Sequence, residues 1–261
     1  MYYIGIRLKA NGTPIDASVV TGRGLHGLLF DLLQRIDQDG ATWLHKHPSP
    51  KPFSMAPYYV ENDGKGELVG LRYAVLEERA ARLIYEAWAE AWQRQRLLRL
   101  GLYQTFYVAD VQWIPGPTFT ELANLTPSRE MTLEFLSPTA FKQGPGSLPL
   151  PLPVNVFRWP ERVWHSYAPS VLATAVPRDW LDWCADNVFV IDHHIQTAVT
   201  AINQTERFTG FVGHVTFQAY RGAPLYLRAW QALGTLAAFC GVGHKTTMGM
   251  GAVTRVDGGH F

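Results

Sequence analysis

The stretch WLHKHPSPKPF, residues 43–53, places two histidines and two lysines within seven positions and threads prolines among and after them. Imidazole, with an unperturbed pKa near ~6.5, gives or takes a proton at neutral pH, and a lysine ammonium stabilises developing negative charge. His45, Lys46, His47 and Lys51 are therefore candidates for acid–base and electrostatic chemistry. Pro48, Pro50 and Pro52 disfavour a helix and a paired central strand. The reading predicts a stiff, extended loop carrying all four groups. His45-x-His47 also has the spacing of two metal ligands on one side of a strand, but the prolines argue against a strand and no third ligand stands nearby. In Asp192-His193-His194, adjacent strand residues would face opposite ways. His165, His214 and His260 are assigned to surface or packing roles.

A second segment, GVGHKTTMGMG at 241–251, holds Gly241, Gly243, Gly249 and Gly251 around His244 and Lys245. It lacks the Gly-Lys-Ser/Thr of a P-loop, because His244 intervenes. It is no dinucleotide fingerprint either, since it follows a helical pattern. Paired glycines mean close backbone approach, to phosphate or to another backbone. The surrounding charge is compatible with an anion. From Arg207 to Val256 there is no Asp or Glu, while Arg207, Arg221, Arg228, Lys245 and Arg255 give the block a formal charge of +5 within a chain of net +1. Such segregation can present a basic face to a polyanion. Arg94, Arg96 and Arg99 form a smaller cluster, open to two readings: phosphate contacts, or cations offsetting a helix dipole.

The elements that must position these groups follow from periodicity. Residues 2–9 alternate as a strand, and GLHGLLFDLLQRIDQ (24–38) has helical spacing. FSMAPYYVE and ELVGLRYAVL flank NDGKG as a hairpin, EERAARLIYEAWAEAWQRQR is a helix with acids first and arginines last, and TFYVADVQWI is a strand. The second half repeats this order. TLEFLSPTAF is a strand, KQGPGSLPLPLP a Pro-rich loop, VNVFRWPERVWHSY a helix broken at Pro160, and VPRDWLDWCAD another helix. NVFVIDHHIQTAVTAI and ERFTGFVGHVTFQAY are long strands, APLYLRAWQALGTLAAFC a helix and AVTRV a closing strand. The pattern predicts an α+β chain of two tandem ferredoxin-like, RRM-like βαββαβ domains, 1–125 and 126–261. At 261 residues, 47% hydrophobic and 17% charged, the chain can bury a sizeable core. Cys184 and Cys240 suit neither a disulfide framework nor zinc. The N-terminus lacks a signal-peptide pattern and no run approaches ~18 apolar residues, so a soluble cytoplasmic protein off the membrane is expected.

Together these runs resemble the CRISPR-associated endoribonucleases that process repeat RNA, the "Cas six" type of the RAMP superfamily. GVGHKTTMGMG is similar to the family's C-terminal glycine-rich segment, and WLHKHPSPKPF to its segment after the first helix. LEFLSPTAF is similar to the motif opening the second domain, and LPLPVNVF to the loop after it. The resemblance implies cofactor-free, metal-independent cleavage of repeats in precursor CRISPR RNA. A ribose 2′-OH would attack the adjacent phosphorus, leaving 2′,3′-cyclic phosphate and 5′-OH ends. By position it implies His45 as the catalytic histidine and Lys51 as its nearby lysine. The first-helix tyrosine of some members is replaced here by Phe30, and His26 and His47 stand as substitutes. The acid-free block and its glycine segment, with Arg23 just before the first helix, give the expected RNA-binding set: Arg23, Arg207, Arg221, Arg228, Gly241, Gly243, His244, Lys245, Gly249, Gly251 and Arg255. Repeat RNA is the expected partner, with effector-complex subunits and a second copy of the chain as further ones. The alternative is a RAMP-type subunit that holds guide RNA without cutting it.

Overall fold

The computed structural model describes residues 1–62 and 64–256. His260 lies outside the described residues. The chain forms two compact units. The first comprises Met1–Gly116 with Thr200–Phe208 and Thr247–Gly249. Its elements run β1 (Tyr2–Ala10), α1 (Gly22–Ile36), α2 (Gln38–Lys46), β2 (Phe53–Asn62), β3 (Lys65–Val75), α3 (Glu78–Gln93), β4 (Leu98–Leu100) and β5 (Gln104–Pro115). The sheet order is β2-β3-β1-β5-β4, the ferredoxin-like order with β4 added at one edge. Strand alternation sends Ile4, Ile6 and Leu8 into the core, against Leu25, Leu29, Leu32 and Leu33 of α1 and Ile84 and Trp88 of α3.

The second unit comprises Pro117–Val199, Thr209–Thr246 and the chain from Met250. It contains α4 (Phe119–Ala123), β6 (Glu130–Thr139), β7 (Phe141–Gln143), β8 (Gly146–Leu148), α5 (Pro153–Tyr167), α6 (Trp180–Asn187), β9 (Val188–Ala201), β10 (Arg207–Ala219), α7 (Pro224–Cys240) and β11 (Val253–Arg255). Its four-stranded sheet runs β11-β6-β10-β9, again ferredoxin-like, and β7 and β8 make a separate hairpin. Trp88, Trp164, Trp180 and Trp230 are fully buried, so much of the aromatic surplus is core volume.

Four local expectations need correction. His45 and Lys46 lie in the last turn of α2 rather than on an extended loop. Asp37 starts this helix by accepting a hydrogen bond from Gly40 N at 2.8 Å. Only the residue directly before Pro48 is driven from the α region, and that residue is His47, at φ −51° and ψ 132°. Secondly, α5 continues through Pro160. Val156, Phe157, Pro160, Val163 and Trp164 are all buried, so packing offsets a proline penalty of about 3 kcal/mol. Thirdly, the Pro-rich loop begins with the β7–β8 hairpin, turned at Gly144 with φ +54°. Lastly, β4 and α4 were not foreseen, although Thr118 and Glu121 form a full capping box at the start of α4.

Candidate active site

In the first unit, α1 and the C-terminal end of α2 bring three expected residues together. His26 and Phe30 are four apart on α1, so they share a face. Their ring centroids are 4.7 Å apart, and the His45 ring meets Phe30 edge-on at 5.2 Å and 90°. Phe30 is buried and His45 exposed, so the phenyl ring is a fixed spacer between two imidazoles. His26 is half-buried, with its Nδ1 3.1 Å from the backbone carbonyl oxygen of Thr247. A carbonyl only accepts, so Nδ1 carries the hydrogen and Nε2 keeps the lone pair. Burial pushes the His26 pKa down; the Thr247 carbonyl opposes this, and the charges of a protonated His45 and of Lys51 lower it further.

Lys51 reaches back across the Ser49–Pro50 turn. Its ammonium donates to the His45 carbonyl at 2.6 Å and lies 3.5 Å from that of Leu44. These are terminal carbonyls of α2, so Lys51 neutralises the helix end that carries His45. Burial lowers the Lys51 pKa. His47 goes elsewhere. Its ring stands edge-on to Trp43 at 5.5 Å, its Nδ1 lies 2.9 Å from the Pro48 oxygen, and Arg79 covers Trp43 at 4.1 Å. His45 and His47 thus have separate surroundings. Among the described residues, no group of three or more His, Cys, Asp or Glu side chains could hold a metal ion.

Arg23, just inside the N-terminus of α1, is exposed and 3.9 Å from Glu206, and Arg207 is exposed at the start of β10. Arg94 and Arg96 both pair with Glu90, at 2.9 and 2.5 Å, which offsets much of that smaller cluster's charge. Gly249, at φ +94°, lies against Pro57.

In the second unit the glycine segment closes on its own backbone. Val242 N donates to Gly251 O at 2.8 Å, and Gly251 N to Pro138 O at 3.1 Å. Gly241, Gly243 and Gly251 have φ of +70°, +82° and +69°. A Cβ on Gly243 would strike the Ala140 carbonyl, one on Gly251 the Val242 carbonyl, and one on Gly241 the Thr246 side chain. Lys245 is left-handed at φ +64° without being glycine. His244 Nε2 is 3.2 Å from Ser147 Oγ on β8. The His244 pKa is lowered by burial, then by the Lys245 and Lys142 cations, so β7 adds a basic residue that the sequence did not single out. Arg221 is exposed, and Arg228 is partly exposed on α7. Arg255 is partly exposed on β11, with a nitrogen 3.4 Å from Thr235 Oγ1. The Thr247 carbonyl, 221 residues from His26, left no signal in the sequence either.

Comparison with known proteins sets the chain in a family. The model for the CRISPR-associated endoribonuclease Cas6 matches residues 133–253, and the model for the CRISPR Cas6 N-terminal domain matches residues 6–108. A solved product complex of Thermus thermophilus Cas6 is 25% identical, with a TM-score of 0.82, covering 98% of this chain and 99% of its own. A second Cas6 product complex is 24% identical with a TM-score of 0.76, covering 98% and 100%. A Cas6 substrate-mimic complex is 23% identical with a TM-score of 0.73, over the same shares. No curated protein matches significantly.

Proposed function

The chain belongs to the CRISPR-associated endoribonuclease Cas6 family, and on that premise we propose that it cuts CRISPR repeat RNA by a 2′-OH mechanism run by two histidines. The observation that carries this reading is the His26–Phe30–His45 array with His26 Nδ1 on the Thr247 carbonyl. His26 Nε2 removes the proton of the ribose 2′-OH, and the new oxyanion attacks the adjacent phosphorus. His45 donates a proton to the departing 5′-oxygen. The products are a 2′,3′-cyclic phosphate and a 5′-OH, and the proton gained by His26 returns to solvent. Each proton transfer contributes about 10²–10⁴-fold. Lys51 holds the end of α2, and so His45, in place, and its charge favours the phosphorane dianion. The first half, 1–125, carries this chemistry. The second, 126–261, binds phosphate through Lys142, His244 and Lys245, with Arg207, Arg221, Arg228 and Arg255 adding charge.

The test is incubation with labelled repeat RNA in excess chelator, with the product ends analysed. Cleavage to cyclic-phosphate ends, abolished by one 2′-deoxyribose 5′ of the scissile phosphate, is the expected result. Binding without cleavage would instead assign a guide-RNA-holding subunit. Cleavage of the deoxy substrate would remove the 2′-OH mechanism.

A further inference from the structure

We infer that Lys46 and Arg79 hold the departing strand of the cut RNA, the segment 3′ of the scissile phosphate, through its backbone phosphates. The inference rests on the proposed reading that His45 protonates the 5′-oxygen of that strand, so the strand leaves from His45. Successive side chains on an α-helix are turned by about 100°. Counted from Trp43 on α2, Leu44 stands at about 100°, His45 at about 200° and Lys46 at about 300°. Leu44 is fully buried, which closes one way round the helix. Lys46 is exposed, so the open way from His45 to Trp43 passes over it. With its side chains the helix is about 10–12 Å across, a distance that a strand covers in about three nucleotides or fewer.

Arg79, exposed in the first turn of α3, ends this path. Its guanidinium lies over the Trp43 ring, 4.1 Å from the centroid. Stacking occupies the face of the guanidinium, while its N–H donors lie in the plane and stay open to a phosphate. Nearby arginines are engaged: Arg82 donates to Glu78 at 2.9 Å, and Arg94 and Arg96 pair with Glu90. Among the described residues, neither the Lys46 nor the Arg79 side chain has a hydrogen bond or an ion pair. Helix stability does not account for Arg79, because a cation in the first turn opposes the helix dipole and an acid would suit it. The neighbouring acids have other work. Glu78 holds Arg82 and Asp37 caps α2, and with Glu86 they line a hollow beside Arg79. Like charge keeps a phosphate out of that hollow and on the Trp43 side.

The test is the affinity of the full chain for repeat RNA blocked by one 2′-deoxyribose 5′ of the scissile phosphate, so that binding is read without cleavage. One RNA carries a long downstream segment, and the other ends at the first downstream nucleotide. Arg79→Gln and Lys46→Gln should each weaken binding of the long RNA by about threefold or more and lower its salt slope by about 0.7. Binding of the short RNA should not change. On the wild-type chain, a single neutral methylphosphonate at one of the first few downstream linkages should reproduce the Arg79→Gln loss. It should add nothing to that loss in the variant, and it leaves the protein itself unaltered. Equal weakening of both RNAs, an unchanged affinity for the long one, or full additivity of Arg79→Gln with every methylphosphonate would each overturn the inference. Should the wild-type chain bind repeat RNA without cutting it, the proposed chemistry fails, and repeats shortened stepwise from the 3′ end still decide this contact. An affinity that steps down in the wild type and not in Arg79→Gln supports it, and equal steps in both overturn it.

Discussion

At the scale of single residues, the division of labour between His26 and His45 rests on their surroundings. Thr247 fixes the His26 tautomer, and burial, with the neighbouring Lys51 charge, keeps that imidazole neutral to lower pH than an ordinary histidine. A general base acts only when deprotonated. Single-turnover cleavage should therefore hold its rate below pH ~6.5 and fall on the acid side only as pH drops through the lowered His26 value. Lys51→Met removes one of the cations that depress it, so the acid limb should move up in pH. The same change uncaps α2, which should lower the melting temperature by the equivalent of about 1 kcal/mol. His26→Ala and His45→Ala should each slow cleavage by about 10²-fold or more with RNA affinity nearly unchanged, while His47→Ala should be mild, since that ring packs on Trp43. A silent His26→Ala, or an acid limb unmoved by Lys51→Met, would remove His26 from the chemistry.

At the scale of elements, glycine position separates packing from function. Gly251 is left-handed, and a Cβ there would meet the Val242 carbonyl, in a loop closed by the Val242–Gly251 hydrogen bond. Gly251→Ala should destabilise the fold by about 2 kcal/mol or more, read as a drop in melting temperature. Gly27 sits inside α1, where an added Cβ would have no contact within 4 Å. Gly27→Ala should raise stability by about 0.5–1 kcal/mol. Equal effects at the two positions would break this account. The same local physics explains how far the sequence could be read. The long strands, and α1, α3 and α7, announce themselves by periodicity over many residues. The short α2 hides among prolines whose restriction acts one residue back, so His45 looked like a loop residue and proved helical. β4, β7 and β8 are three residues each, too short to show alternation. The His26–Phe30 half of the array is an i, i+4 pair visible in the sequence. Its closure by a carbonyl 221 residues away is a property of the tertiary fold alone.

At the scale of the whole molecule, charge decides how RNA is held. A net charge of +1 supplies little overall attraction for a polyanion, so the places where cations gather carry the electrostatic case for RNA. The acid-free block from 207 to 256 supplies them, and in the second unit Lys142 of β7 joins His244 and Lys245, close enough for both lysines to depress the histidine's pKa. Lys245 is the informative position, because its left-handed backbone would suit glycine better than lysine. Lys245→Gly removes the charge at a backbone position that suits glycine, so its melting temperature, read beside its affinity, separates lost charge from lost fold. We expect its melting temperature to stay level or rise. Its affinity for repeat RNA should fall, and the slope of log affinity against log salt should shrink by one phosphate's share, about 0.7–0.9. The cleavage rate at saturating enzyme should remain near that of the wild type, since the Lys245 ammonium takes no part in the proposed proton transfers. An unchanged salt slope with weakened binding would mean that Lys245 shapes the loop without touching phosphate. An unchanged affinity would move the RNA contacts away from this segment, to Arg207, Arg221, Arg228 and Arg255.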